Sequence, residues 1–169
     1  MEALFELDLK SISESPGIYM VYWVRNGESV EINRILDVDR KGILYIGATR
    51  RRGLRSRLRD LRISIEMAKG IRKRKKFPHT FGSSLVYTGL VNRIEKEELY
   101  VYFKTYNKPE EAEDQEKLAL LYYTRRYGEP PPLNLQVSRK YYIILGLGEL
   151  GVSKLTRKID PDLKCALGL

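Results

Sequence analysis

Gly17-Ile18-Tyr19-Met20-Val21-Tyr22-Trp23-Val24, then Asn26-Gly27, then Ile43-Leu44-Tyr45-Ile46-Gly47: these three pieces decide the fold. The first is almost wholly β-branched and aromatic, the side chains that suit a buried pleated surface, and it predicts a strand. Asn26-Gly27 joins the two residues that most easily take positive φ, so a hairpin turn is expected there. Ser29 to Leu36 can supply the returning strand. Ile43 to Gly47, after Lys41-Gly42, predicts a further short one.

Working outward, the period changes. Leu54, Leu58, Leu61 and Ile65 recur at helical spacing, which predicts a helix from about Gly53 to Ala68. Lys69 to Lys76 reads as a basic loop. Thr80 to Arg93 is open to a second helix, against which Gly82 and Gly89 count. Leu99 to Tyr106 is strand-like. Pro109 followed by Glu110, Glu111, Glu113 and Asp114 suits a helix N-terminus, and Arg125, Arg126 and Gly128 suit its end near Tyr127. Pro130-Pro131-Pro132-Leu133-Asn134 is a stiff exit. The order is β-β-β-α-(α)-β-α. It implies an α+β fold: a small mixed, mainly antiparallel sheet of three to four strands flanked by helices. Residues 1–134 read as one domain and 135–169 as a short C-terminal extension.

Composition narrows the function classes. The chain has 169 residues, one cysteine and one histidine. A structural zinc site draws about four Cys or His ligands, so zinc is not expected. No apolar run approaches the ~20 residues of a membrane span. The N-terminus carries Glu2, Glu6 and Asp8, where a secretory signal would be basic and then apolar, so a cytoplasmic protein is expected. Net charge is +9, and residues 50–76 concentrate it, with thirteen Lys or Arg against Asp60 and Glu66. A solvated helix face is the plain explanation. A surface for a polyanion is the stronger one, because phosphates neutralise such a patch and release counterions.

Gly17-Ile18-Tyr19 and Tyr45-Ile46-Gly47 stand on two strands, with Ser15-Pro16 before the first and Ala48-Thr49 and a basic helix after the second. A later helix carries Ala112-x-x-x-Glu116, and Asn134 follows the prolines. This order, over residues 15–134, resembles the GIY-YIG nuclease superfamily. The resemblance implies a metal-dependent endonuclease that hydrolyses phosphodiester bonds in DNA with Mg²⁺ (or Mn²⁺). It implies Tyr19 and Tyr45 as the paired tyrosines, one activating water, with Tyr19 the first choice. It implies Glu116 as the metal ligand and Asn134 as a group that holds the site or contacts phosphate.

The residues can be checked physically one by one. A phenol near pKa 10 is a poor base unless nearby cations favour the phenolate. Two sheet tyrosines packed on a helix are the plain alternative. For the arginine, aligning Leu54-Arg55-Ser56-Arg57-Leu58 with the family's Leu-x-x-Arg-hydrophobic pattern selects Arg57, whereas counting directly from Gly47 selects Arg55. At about 100° per residue, Arg57 falls at the edge of the apolar stripe and Arg59 toward solvent, with Arg55 and Arg62 on the other flank. An arginine at the core edge can reach the sheet and hold a phosphate. Glu116 shares a helix face with Ala112, Ala119 and Tyr123, where a carboxylate is costly without a partner such as magnesium. His79 stands away from the position at which relatives carry a histidine. It is open to phosphate binding, to acid–base work, or to capping. Arg51, Arg55, Arg59, Arg62, Lys73, Lys75 and Lys76 are the candidate DNA contacts, with Lys41 beside them.

Gly146-Leu147-Gly148-Glu149-Leu150-Gly151, after the strand-like Tyr141 to Leu145, spells a dinucleotide-binding fingerprint. That motif needs a βαβ unit and an acid about 20 residues on, and too little chain follows, so a tight turn is the better reading. Two rival functions stand beside the nuclease: a catalytically inactive nucleic-acid-binding module, and an assembly factor recruiting a protein partner through 135–169. Cutting both strands with one such site per chain would call for a homodimer.

Overall fold

The computed structural model describes residues 1–49, 52–135 and 158–168. Along the chain run β1 (Glu2–Ala3), β2 (Gly17–Arg25), β3 (Glu28–Ser29), β4 (Ile32–Asn33), β5 (Val38–Asp39), β6 (Ile43–Ala48), α1 (Leu54–Ala68), α2 (Thr80–Tyr87), β7 (Leu99–Thr105), α3 (Pro109–Tyr127) and α4 (Pro161–Ala166). The fold is α+β, an antiparallel sheet flanked by helices. β2 is its centre, paired with β7 over Gly17–Trp23 and with β6 over Ile18–Tyr22. Among the described residues the sheet counts five strands, the two-residue β1 and β3 joining the three long ones. The described pairs are all antiparallel, so the expected mixed character is absent among the described residues.

The predicted return strand Ser29 to Leu36 is corrected. Asn26 and Gly27 do turn at positive φ, but only Glu28–Ser29 pairs with β2. The chain then leaves to form a separate ribbon, β4 with β5. The reason lies at Trp23, whose carbonyl accepts from Val30 N while its N–H donates to the Gly42 carbonyl. From that point β6 takes the place beside β2.

Both faces of the sheet are covered, which is why β2 reads as a continuous apolar run rather than an alternation. Tyr19 and Val21 face α1 and α2, packing with Tyr45, Leu54, Leu58, Leu61, Phe81 and Leu85. Ile18, Met20, Tyr22 and Val24 face α3, packing with Ala119, Leu120, Tyr123 and Tyr127. Leu163 and Leu167, both fully buried, complete this second cluster. Residues 158–168 of the C-terminal extension therefore share the core of the first 134. The fingerprint-like Gly146–Gly151 and the strand-like Tyr141–Leu145 lie outside the described residues.

The second helix ends at Tyr87, and the glycines explain its limits. Gly89 takes φ 72° and stops it. Gly82 is required by close packing: a Cβ there would sit 2.4 Å from the Ser64 carbonyl oxygen on α1. α3 matches the predicted Pro109–Tyr127 span, with Pro109 in its first turn and Gly128 at its end.

Among the described residues the outer edge of β6 is closed without another strand. Leu133 N donates to the Leu44 carbonyl at 2.9 Å. The Asn134 amide pairs with both main-chain groups of Ile46, accepting from its N–H at 2.9 Å and donating to its carbonyl at 2.8 Å. Ala48 N donates to Glu116 Oε1 at 3.1 Å. These partners satisfy an edge that would otherwise template pairing with other chains. Among the described residues no helix is long and apolar enough to cross a membrane.

Candidate active site

The two motifs meet because β2 and β6 are neighbours in register. Tyr19 lies opposite Gly47, and Tyr45 opposite Val21. Both tyrosines point to the α1 side, their rings stacked at 6.0 Å between centroids and 24° between planes. Gly47 provides the room. A Cβ there would lie 2.6 Å from Tyr19 Oη and 2.7 Å from Tyr45 Cε1.

Tyr19 Oη is the hub of the cluster. Arg57 Nε donates to it at 3.3 Å, and His79 Nε2 lies 2.6 Å away. The histidine's role follows from its other nitrogen. His79 is the N-cap of α2, and its Nδ1 accepts from Phe81 N at 3.0 Å. A nitrogen that accepts carries no proton, so the neutral ring holds its hydrogen on Nε2 and donates it to Tyr19. Ser64 Oγ accepts from His79 N at 2.8 Å and anchors the cap to α1. Burial, then the Arg57 charge, hold the imidazole well below its ordinary pKa, which keeps it neutral. His79 thus combines capping with a contact to the site. It is buried, and its ring meets Tyr19 on one side and the first turn of α2 on the other.

The same electrostatics govern Tyr19. Burial pushes its phenol well above 10, Tyr45 adds to this, Arg57 pulls the other way, and Glu116 adds a further push. Arg57 is itself held above its ordinary range, since Tyr19 and Tyr45 offset the burial that disfavours its charge.

Beside this cluster opens a cavity of about 830 Å³, lined by Ala48, Thr49, Arg52, Arg57, Pro109, Glu110, Glu113 and Glu116. Its two walls differ in sign: arginines from the α1 side, glutamates from α3. Tyr19 and Tyr45 do not line it. Tyr19 is fully buried behind Arg57, and Tyr45 borders a smaller cleft of about 150 Å³ with Thr80, Ser84, Leu133 and Asn134. Tyr45 Oη lies 3.4 Å from Thr80 Oγ1. In this arrangement neither phenol reaches a water in the main cavity.

The remaining predicted residues separate. Of the two arginines left open, Arg57 enters the cavity. Arg55 turns the other way, donating to the Ile12 carbonyl at 2.7 Å near Glu14. Arg62 donates to the carbonyls of Leu4 and Leu7, tying the N-terminal segment to α1. Arg59, Lys73, Lys75 and Lys76 are exposed. Arg51 lies outside the described residues. Lys41 packs beside Gly168, near the start of β6 and away from the cavity at its end. Asn134 braces β6 and does not face the large cavity. Arg52 was not singled out by sequence; only its place on the cavity wall marks it.

The donor set can be tested against a divalent ion. Among the described residues no three His, Cys, Asp or Glu side chains converge as a closed protein cage would need. Magnesium asks for less: one or two carboxylates, with water and substrate oxygens completing the shell. Glu116 on an open, partly acidic wall fits that demand. No protein-family model matches this chain, and no curated protein and no solved structure is detectably similar to it.

Proposed function

We propose that this chain is a metal-dependent DNA endonuclease of the GIY-YIG type, working in the cytoplasm. The observation that supports it best is the two-signed cavity, with Arg57 opposite Glu116 at the end of the strand bearing Tyr45-Ile46-Gly47. A phosphodiester needs a cation on its far side and a planar donor on its near side, and this cavity offers a place for each. Glu116 would hold Mg²⁺ or Mn²⁺. A bound ion would supply Lewis acidity at the phosphate. Arg57 binds a non-bridging oxygen and stabilises the charge that grows there. Tyr19 and His79 hold Arg57 in line. To take a proton from the attacking water Tyr19 would have to be the phenolate, its own proton lost to solvent beforehand, and the Arg57 charge beside it is the influence that favours that form. Neutralising Glu116 would remove one of the influences that raise the Tyr19 pKa, which favours the same step. The exposed Arg59, Lys73, Lys75 and Lys76 supply salt-dependent, largely sequence-independent attraction to the DNA backbone.

One observation favours the second reading, binding without cleavage: both tyrosines lie off the cavity wall. The deciding experiment is cleavage of labelled duplex, nicked, branched and single-stranded DNA with Mg²⁺, Mn²⁺ or EDTA, beside Glu116→Ala. Metal-dependent cutting that falls by about 10²-fold or more in Glu116→Ala supports the nuclease. DNA binding without cutting under either metal overturns it in favour of the binding module.

A further inference from the structure

The sequence pattern offers one arginine for the phosphate, but among the described residues two line the cavity. Arg52 Nη1 donates to Asp60 Oδ2 at 3.1 Å, and Arg52 lines the same wall as Arg57. The pair is asymmetric. The Arg52 side chain is 73% exposed, while that of Asp60 is 15% exposed on α1. A fixed carboxylate thus holds an otherwise free, rotamer-rich side chain at the cavity mouth. Asp60 also acts electrostatically on Arg57, so one acid serves both arginines. Arg57 faces the scissile position, and Asp60 engages only Nη1 of the exposed Arg52, so the other N–H groups of its guanidinium can meet a second anion. The cavity is also at the large end of the ~300–1,000 Å³ range of ligand pockets, well beyond one phosphate.

We propose that Arg52 binds the phosphate next to the scissile one, oriented by Asp60, so that the site selects a polynucleotide strand over an isolated phosphodiester. This rests on the nuclease reading for the scissile position, but its test does not need cleavage. Binding of a fluorescein-labelled DNA duplex is measured by anisotropy from low to moderate KCl, for wild type, Arg52→Ala, Asp60→Asn and the double variant. Arg52→Ala is expected to weaken binding about tenfold and to lower the slope of log K against log[salt] by about 0.9, the loss of one phosphate contact. The Arg52→Ala effect is expected to shrink in the Asp60→Asn background, as coupled residues do. An unchanged slope, or equal losses in both backgrounds, overturns the proposal, as does a wild type that does not bind DNA. In parallel, Mg²⁺-dependent hydrolysis of the DNA is compared with that of thymidine 5′-(p-nitrophenyl phosphate). The Arg52→Ala loss in kcat/KM is expected to be larger on DNA, and an equal loss on both counts against the neighbouring-phosphate role. If the slope falls as expected but wild type cuts neither substrate, the Arg52 site stands and the nuclease reading falls.

Discussion

Replacing Gly47 with alanine probes the centre of the site without removing any of its polar groups. The added Cβ would meet Tyr19 Oη at 2.6 Å, Tyr45 Cε1 at 2.7 Å and Tyr19 Cζ at 2.8 Å. Carbon contacts are comfortable at about 3.5–4.0 Å, so three atoms must each retreat by the better part of an ångström. They belong to rings wedged in the core, Tyr19 fully buried and Tyr45 nearly so. Overpacking of this kind costs about 1–3 kcal/mol. Moving Tyr19 Oη also strains its bonds to His79 and Arg57, at roughly 1 kcal/mol each. Lower entropy of the unfolded chain returns about 0.4–1 kcal/mol. The net expectation is a loss of about 3 kcal/mol, or a Tm lowered by roughly 6–12 °C for a chain of this size. Urea unfolding followed by circular dichroism measures it. Gly27→Ala is the control, since nothing lies within 4 Å of a Cβ there and only its φ of 82° is strained. A Gly47→Ala variant within about 0.5 kcal/mol of wild type would refute the reasoning, because surface-like tolerance is incompatible with a wedged pair of rings.

Tyr19→Phe removes the oxygen that holds Arg57. If Tyr19 only positions the arginine, cleavage falls about tenfold, the worth of one hydrogen bond; a loss above about 10³-fold would make it the base. Tyr45→Phe, measured beside it, is expected to lose less, since its hydroxyl meets only Thr80 at long range. Asn134→Ala should cost about 2 kcal/mol in urea unfolding, because two main-chain groups of Ile46 lose their partner; a neutral result would mean water replaces the amide. Leu163→Ala should cost about 2–5 kcal/mol, and loss of less than about 1 would show that α4 does not belong to the core. For His79 the folded pKa lies below the unfolded value of about 6.5, so the unfolded chain binds the extra proton. Stability is then full above pH 6.5 and declines as pH falls below it, by up to about 1.4 kcal/mol per pH unit. His79→Asn, which keeps an acceptor for Phe81 N, should lessen that acid dependence, and an unchanged pH profile would exclude His79 as its source.

The sequence by itself determined the elements that rest on local chemistry. The span of α3 was legible because proline and acids mark its start, and arginines and glycine its end. The stripe Leu54, Leu58, Leu61 and Ile65 placed Arg57 at the core edge, and that is where its reach to Tyr19 comes from. Residues 17–24 and 43–47 were legible as strands because side chains buried on both faces leave an unbroken apolar run. The strand after Asn26-Gly27 was not, because a turn signal says where a chain reverses but not whether a better partner, here β6, displaces the return. Only tertiary structure decided the rest. His79 and Tyr19 are 60 residues apart, and no spacing rule joins an N-cap on α2 to a phenol on β2. The protonation of that imidazole depends on a contact with Phe81 and on burial, both properties of the assembled core. Arg52 looked like any other charge in a basic run until Asp60 and the cavity wall gave it a direction. Leu163 and Leu167 became core residues only when α4 folded back across the sheet. Short-range pattern encodes which face of an element is apolar; which two faces meet, and which polar atoms are enclosed between them, is set by packing over the whole chain.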